Sequence, residues 1–145
     1  MTVTADRFVD ACRSLIGVRF GHRGRSAQRL DCGGLIVRAA EIVGESVEDV
    51  YGYSRTGRDA ELLDVARSQT SQVAWADRQP GDVVVMWWSK RCKEAQHLGI
   101  LDRMPDGADG LIHSFIDARR VVRCHLGVWE SRILYVGRLR FIEGG

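Results

Sequence analysis

The chain has 145 residues, of which 45% are apolar and 28% charged, and its formal net charge is only +2 at pH 7. Such a length and balance predict one globular domain over residues 1–145. The small charge excess is not the footprint of a nucleic-acid-binding domain, and the longest apolar stretch, Val83 to Trp88, is too short to span a membrane, so neither partner is expected.

In chain order, Phe8, Val9, Cys12, Leu15 and Ile16 recur at helical spacing, with Thr4 placed to cap the start and Gly17 the end. Asp6, Arg7, Asp10 and Arg13 break any apolar run long enough for a secretory signal, so the chain is expected to be made in the cytoplasm without one. Residues 18 to 30 lack periodicity and read as a loop. A second helix is predicted from about Asp31 to Val43, because Cys32, Leu35, Ile36, Ala39, Ala40 and Val43 form one stripe that Gly44 stops. Glu45 to Arg58 has no period, although Tyr51 and Tyr53 offer anchors. A short helix is predicted around Asp59 to Arg67.

After the turn Gln79-Pro80-Gly81-Asp82 the pattern changes to strands. They are expected at Val83–Trp88, Gln96–Asp102, Leu111–Ile116, Val121–Leu126 and Tyr135–Ile142, with a hairpin loop from Met104 to Gly110. Helices first and antiparallel strands second is the order of an α+β domain.

Four cysteines follow no paired or metal-knuckle spacing, so each is read singly. Cys32 stands out. A thiol reacts as its anion, which the free N–H groups and partial positive charge of a helix start favour, and Asp31 is placed to cap that start. Gly33 and Gly34 weaken the first helical turn by roughly 1 kcal/mol each relative to Ala, and are expected to leave room for a substrate backbone. Cys92, flanked by Lys90, Arg91 and Lys93, is the rival nucleophile, but its setting reads as an exposed loop. Cys12 and Cys124 read as structural. A zinc site from Cys92, His97, His113 and Cys124 fits no common spacing, so no metal is expected.

The base is sought among His22, His97, His113 and His125. If the central hairpin pairs residues whose numbers sum to 212, His113 lies opposite Gly99 and diagonal to His97 on the same face. His97 then takes the Cys32 proton and His113 orients its ring. Arg19, Arg23, Arg25 and Arg29 crowd the loop leading into Asp31, where forked guanidiniums suit carboxylates.

These residues together resemble the NlpC-type cell-wall peptidases, a papain-like cysteine peptidase family. Leu30-Asp31-Cys32-Gly33-Gly34-Leu35 resembles the nucleophile motif, Pro80-Gly81-Asp82-Val83-Val84 the strand entry, His97-Leu98-Gly99-Ile100 the base motif and Ile112-His113-Ser114 the third catalytic position. Ile16 to Phe20, Gly24-Arg25-Ser26 and the tail from Val121 to Phe141 are similar to the branch encoded in phage-tail gene clusters. The resemblance implies N-terminal helices packed on a C-terminal antiparallel sheet, hydrolysis of an amide bond in peptidoglycan stem peptides, and no cofactor. It further implies a tail-associated protein acting at the cell wall, with phage tail proteins as partners. Gly33 stands where many members have Ser. Phe20 stands where many have Tyr, with His22 close enough in sequence to replace that hydroxyl. Two other readings compete: a structural tail-tip protein that keeps the fold with little turnover, and acyl transfer or deamidation on a protein.

Overall fold

A computed structural model describes residues 3–48, 60–89 and 92–145. Helix α1 runs Ala5–Ser14 and is capped as expected, the Thr4 hydroxyl accepting from the Arg7 N–H. It ends at Leu15, two residues before Gly17, whose φ of 91° turns the chain away. Helix α2 spans Cys32–Ile42, and α3 spans Ala60–Gln69. Gly44 follows α2 in the left-handed region, φ 82°, where glycine avoids the steric penalty of a Cβ. Tyr51, Tyr53, Asp59, Lys90 and Arg91 lie outside the described residues, as does the side chain of Cys92.

The strands are β1 (Arg19–Phe20), β2 (Arg29–Leu30), β3 (Thr70–Gln72), β4 (Val83–Ser89), β5 (Cys92–Arg103), β6 (Asp109–Phe115), β7 (Arg120–His125) and β8 (Ile133–Leu139). They form one eight-stranded sheet in the order β2-β1-β7-β6-β5-β4-β8-β3. Neighbouring strands run antiparallel except β1 and β2, which are parallel. The architecture is α+β, with the helices on one face of the sheet. Three short strands appear where sequence periodicity shows nothing. Two of them form part of the expected Arg-rich loop.

The β5–β6 register pairs Ile100 with Ile112 and Leu101 with Leu111, so the residue numbers sum to 212, the register under which His97 and His113 share a face. Two clusters fill the two faces. Phe8, Leu35, Ala39, Ile100 and Ile112 meet between helices and sheet, while Val84, Met86, Leu101 and Leu111 pack on the far side with Leu126. Burial on both faces explains why Val83 to Trp87 is continuously apolar. Among the described residues no helix is long and apolar enough to cross a membrane.

Candidate active site

Asp31 organises the start of α2. Its side chain is buried, and one carboxylate oxygen accepts from the Gly34 N–H at 2.7 Å while the other accepts from the Arg23 N–H at 2.9 Å. The Arg25 guanidinium donates to the same carboxylate and to the Gly24 carbonyl. These bonds fold the segment from Gly21 to Arg25 over the helix start. Cys32 is the first residue of α2 and is 5% exposed.

This geometry revises two expectations. Arg25 is not a free arm for substrate, since its charge serves the buried Asp31. Gly34 makes room for the chain itself: a Cβ there would come within 1.9 Å of the Gly24 carbonyl oxygen. Gly33 lines a separate concavity with Arg25, Ile36 and Leu62 and is not among the residues lining the Cys32 cleft.

The two histidines come from adjacent strands, His97 on β5 and His113 on β6, and both are buried. His97 Nε2 lies 2.7 Å from His113 Nδ1. Gly99 leaves space beside the pair, because a Cβ there would meet the Leu111 side chain at 2.6 Å and the His113 Cβ at 3.4 Å. With His97 Nε2 engaged by its partner, Nδ1 is the ring nitrogen left for the cleft. Burial, then the neighbouring His113 and Arg132, hold the His97 pKa well below its ordinary value, and burial pushes His113 down to about 4. Both rings are therefore neutral at neutral pH, the state in which an imidazole accepts a proton.

A cleft of about 90 Å³ brings Cys32 and His97 together, walled by Phe20, His22, Trp88, Ser114 and Phe115. The Ser114 hydroxyl donates to the Leu30 carbonyl at 2.6 Å, which ties the His113 strand to the segment carrying Asp31 and Cys32. Around the imidazoles stands an aromatic shell that sequence reading did not assemble. Phe115 stacks on His113 with ring centroids 4.5 Å apart, Trp88 meets His97 edge-on at 5.2 Å, and Trp129 touches both histidines. Arg132 lies over Trp129 and Trp87 and donates to the Trp88 carbonyl. The Trp87-Trp88 pair was the available clue. Trp129, on a 3₁₀ turn, carried no periodic signal.

Beside this cleft, Phe20 and Ile116 also line a second concavity of about 640 Å³. Its other walls include Arg19, Arg29, Arg119 and Arg120. Strand register explains the grouping: Arg19 pairs with Arg29 on one side and with Arg120 on the other, so the three form a row across neighbouring strands. Arg23 is absent from that lining, and its φ of 58° serves the bond from its main chain to Asp31. Of the other thiols, Cys12 is fully buried and pushed up by burial and then by Asp102. Among the described residues no group of three or more His, Cys, Asp or Glu side chains could hold a metal ion.

A thiol opening a helix, faced by an imidazole pair on an antiparallel sheet, defines a papain-like α+β architecture. Comparison with solved structures narrows it. An NlpC/P60 family protein from Bacillus cereus superposes with a TM-score of 0.71 at 19% identity, covering 96% of this chain and 41% of that one. The NlpC/p60 domain of the peptidoglycan hydrolase SagA gives 0.66 at 15% identity, covering 94% and 100%. RipD from Mycobacterium tuberculosis, a non-catalytic NlpC/p60 domain protein, gives 0.61 at 14%, covering 95% and 98%. The fold is therefore that of NlpC/P60 domains, and the chain spans less than half of the Bacillus cereus protein. A scan against protein-family models and a search of curated protein sequences find no match.

Proposed function

We propose that the protein is a cysteine peptidase cutting an amide bond in peptidoglycan stem peptides. The observation that carries this reading is a buried, hydrogen-bonded imidazole pair whose leading member shares a cleft with a thiol at a helix start. In this mechanism Cys32 Sγ attacks the scissile carbonyl carbon as its proton passes to His97 Nδ1. The oxyanion is met by N–H groups at the start of α2. Collapse breaks the C–N bond, and His97 returns the proton to the departing amine. Water then hydrolyses the thioester, with His97 again accepting a proton and Cys32 restored. His113 keeps the His97 ring oriented throughout.

The wall as target is supported by fold likeness to a peptidoglycan hydrolase, and by sequence motifs. Association with a phage or phage-like tail is supported by sequence motifs alone. Arg19 and Arg29, joined by Arg119 and Arg120, offer stem carboxylates four guanidiniums beside the cleft. RipD favours a second reading, in which the fold binds the wall without cutting it. Retention of Cys32, His97 and His113 in one site argues for catalysis here.

Mass analysis of muropeptides and stem peptides after incubation decides between them. The native protein is expected to release new fragments, Cys32→Ala none, and His97→Ala a hundredfold to ten-thousandfold less, on the order of a general base's contribution. His113→Asn is expected to retain some turnover, because an amide still orients an imidazole. Binding without cleavage by the native protein would overturn the reading.

A further inference from the structure

Cys124, on β7, is half-buried and belongs to no part of the mechanism above. Its Sγ lies 3.7 Å from His113 Nε2, within reach of a sulfur hydrogen bond. Its register partner is Leu111, while that of His113 is Val122, so cysteine and histidine sit diagonally on one face of neighbouring strands. His113 Nδ1 is in turn engaged by His97 Nε2. A continuous line therefore runs from Cys124 through two neutral imidazoles to the cleft that holds Cys32.

Each neutral ring carries one proton, so the line has two possible directions. In the first, His97 Nε2–H donates to His113 Nδ1, His113 Nε2–H donates to Cys124 Sγ, and the His97 Nδ1 lone pair faces the cleft. In the second, the Cys124 S–H donates to His113 Nε2, His113 Nδ1–H donates to His97 Nε2, and His97 presents an N–H to the cleft. Only the first lets His97 take a proton. The protonated His97 formed in catalysis is stricter still. With both its nitrogens bearing hydrogen, it needs a lone pair on His113 Nδ1, hence a hydrogen on His113 Nε2 and an acceptor beyond it. His113 is 0% exposed, so the acceptor that the structure supplies is Cys124 Sγ.

We infer that Cys124 is a positioning residue, accepting from His113 Nε2–H and so holding both rings in the tautomer that frees His97 Nδ1 for the Cys32 proton. The inference rests on Cys32 and His97 acting as nucleophile and base. Asymmetry between the two ends supports the direction. Cys32 stands at a helix start, which favours an anion, whereas burial pushes the Cys124 thiol up and keeps it protonated. No proton travels the line. The one that leaves Cys32 stays on His97 until the amine takes it.

Two measurements on the intact protein test this without any assumed substrate. Ring ¹⁵N shifts should show His113 protonated at Nε2 in the native protein and in Cys124→Ser, whose hydroxyl also accepts. The rate of Cys32 alkylation by iodoacetamide, followed by peptide mapping across pH 5 to 9, should fall about three- to tenfold at neutral pH in Cys124→Ala, the worth of one hydrogen bond. In Cys124→Ser it should stay within about twofold of native, a rescue that mere packing does not require. A native His113 protonated at Nδ1, or native alkylation profiles in both variants, overturns the assignment. The shifts and the serine variant decide it even where the alanine variant fails to fold. Absence of peptidoglycan cleavage with the alkylation pattern intact would sink the peptidase reading and leave Cys124 in its role. Undiminished cleavage by Cys124→Ala would do the reverse.

Discussion

Two groups of four arginines contrast. Arg13, Arg78, Arg123 and Arg138 each grip a carboxylate, on Asp102, Asp109, Asp102 and Asp82 respectively. Arg19, Arg29, Arg119 and Arg120 make no ion pair among the described residues and gather round one concavity instead. Residue type and count do not separate the groups. Placement does: the first tie α1, the turn after Trp75–Asp77 and strands β7 and β8 to aspartates on or near the sheet, two of which, Asp82 and Asp102, are fully buried and demand partners, and the second lie exposed at the β2-β1-β7 edge. Like charges in register repel, so a row of three invites an anionic ligand or remains a modest cost to the edge.

The largest expected effect tests the structural group. Asp102 has a fully buried side chain that accepts from Arg13 and Arg123 and from the Arg103 N–H. Burial would raise its pKa, but those bonds reverse the trend and hold it below the ordinary value. Asp102→Ala strands two guanidiniums and should cost about 3 kcal/mol in denaturant unfolding. A loss below about 1 kcal/mol would show that these arginines are no more structural than the exposed four.

Acid separates the charged knot from the neutral histidines. The unfolded chain binds protons on histidine near pH 6.5, while folded His113 resists until about pH 4 and His97 resists to well below its ordinary value. Between those limits the unfolded state holds more protons, so stability falls as pH drops and levels off below the folded values. His113 alone should account for on the order of 3 kcal/mol by pH 4. Unfolding curves from pH 7 to 4 should show that slope, and His113→Gln should flatten it. An unchanged slope would move the acid sensitivity to the carboxylates.

The smallest effect concerns the exposed row. Arg19→Gln and Arg120→Gln should each raise KM on a stem peptide about tenfold, equivalent to about 1.4 kcal/mol, and the loss should shrink with added salt. Stability should move by no more than about 0.5 kcal/mol. Unaltered KM for both at low salt would leave the row as a solvated edge.

Local patterns were legible in the sequence. Asp31 before an apolar stripe announced the cap and the first helical position of Cys32, whereas the hairpin register that brings His97 to His113 was one assumption among alternatives and is settled only by strand pairing. What stayed hidden depends on contacts between distant segments. Strands β1 and β2 are two residues each and exist only through pairing. The loss of Arg25 to Asp31, the pressure of the Gly24 carbonyl on Gly34 and the gathering of Trp88, Phe115 and Trp129 follow from the path of the backbone through space. Cys124 was read as structural because its strand alternates normally. Only the β6–β7 register reveals His113 on its diagonal.

The tie between Ser114 and Leu30 joins positions 84 residues apart, and the grip of Arg13 on Asp102 joins positions 89 apart. A centre assembled from such separations has a consequence for the timing of synthesis. The segment bearing Cys32 leaves the ribosome well before the strands that carry both histidines. Closure of contacts this remote in sequence is slow compared with forming one helix. Under the mechanism proposed above, Cys32 is throughout that interval an ordinary thiol without a base, and a half-made chain carries no cutting power toward its neighbours.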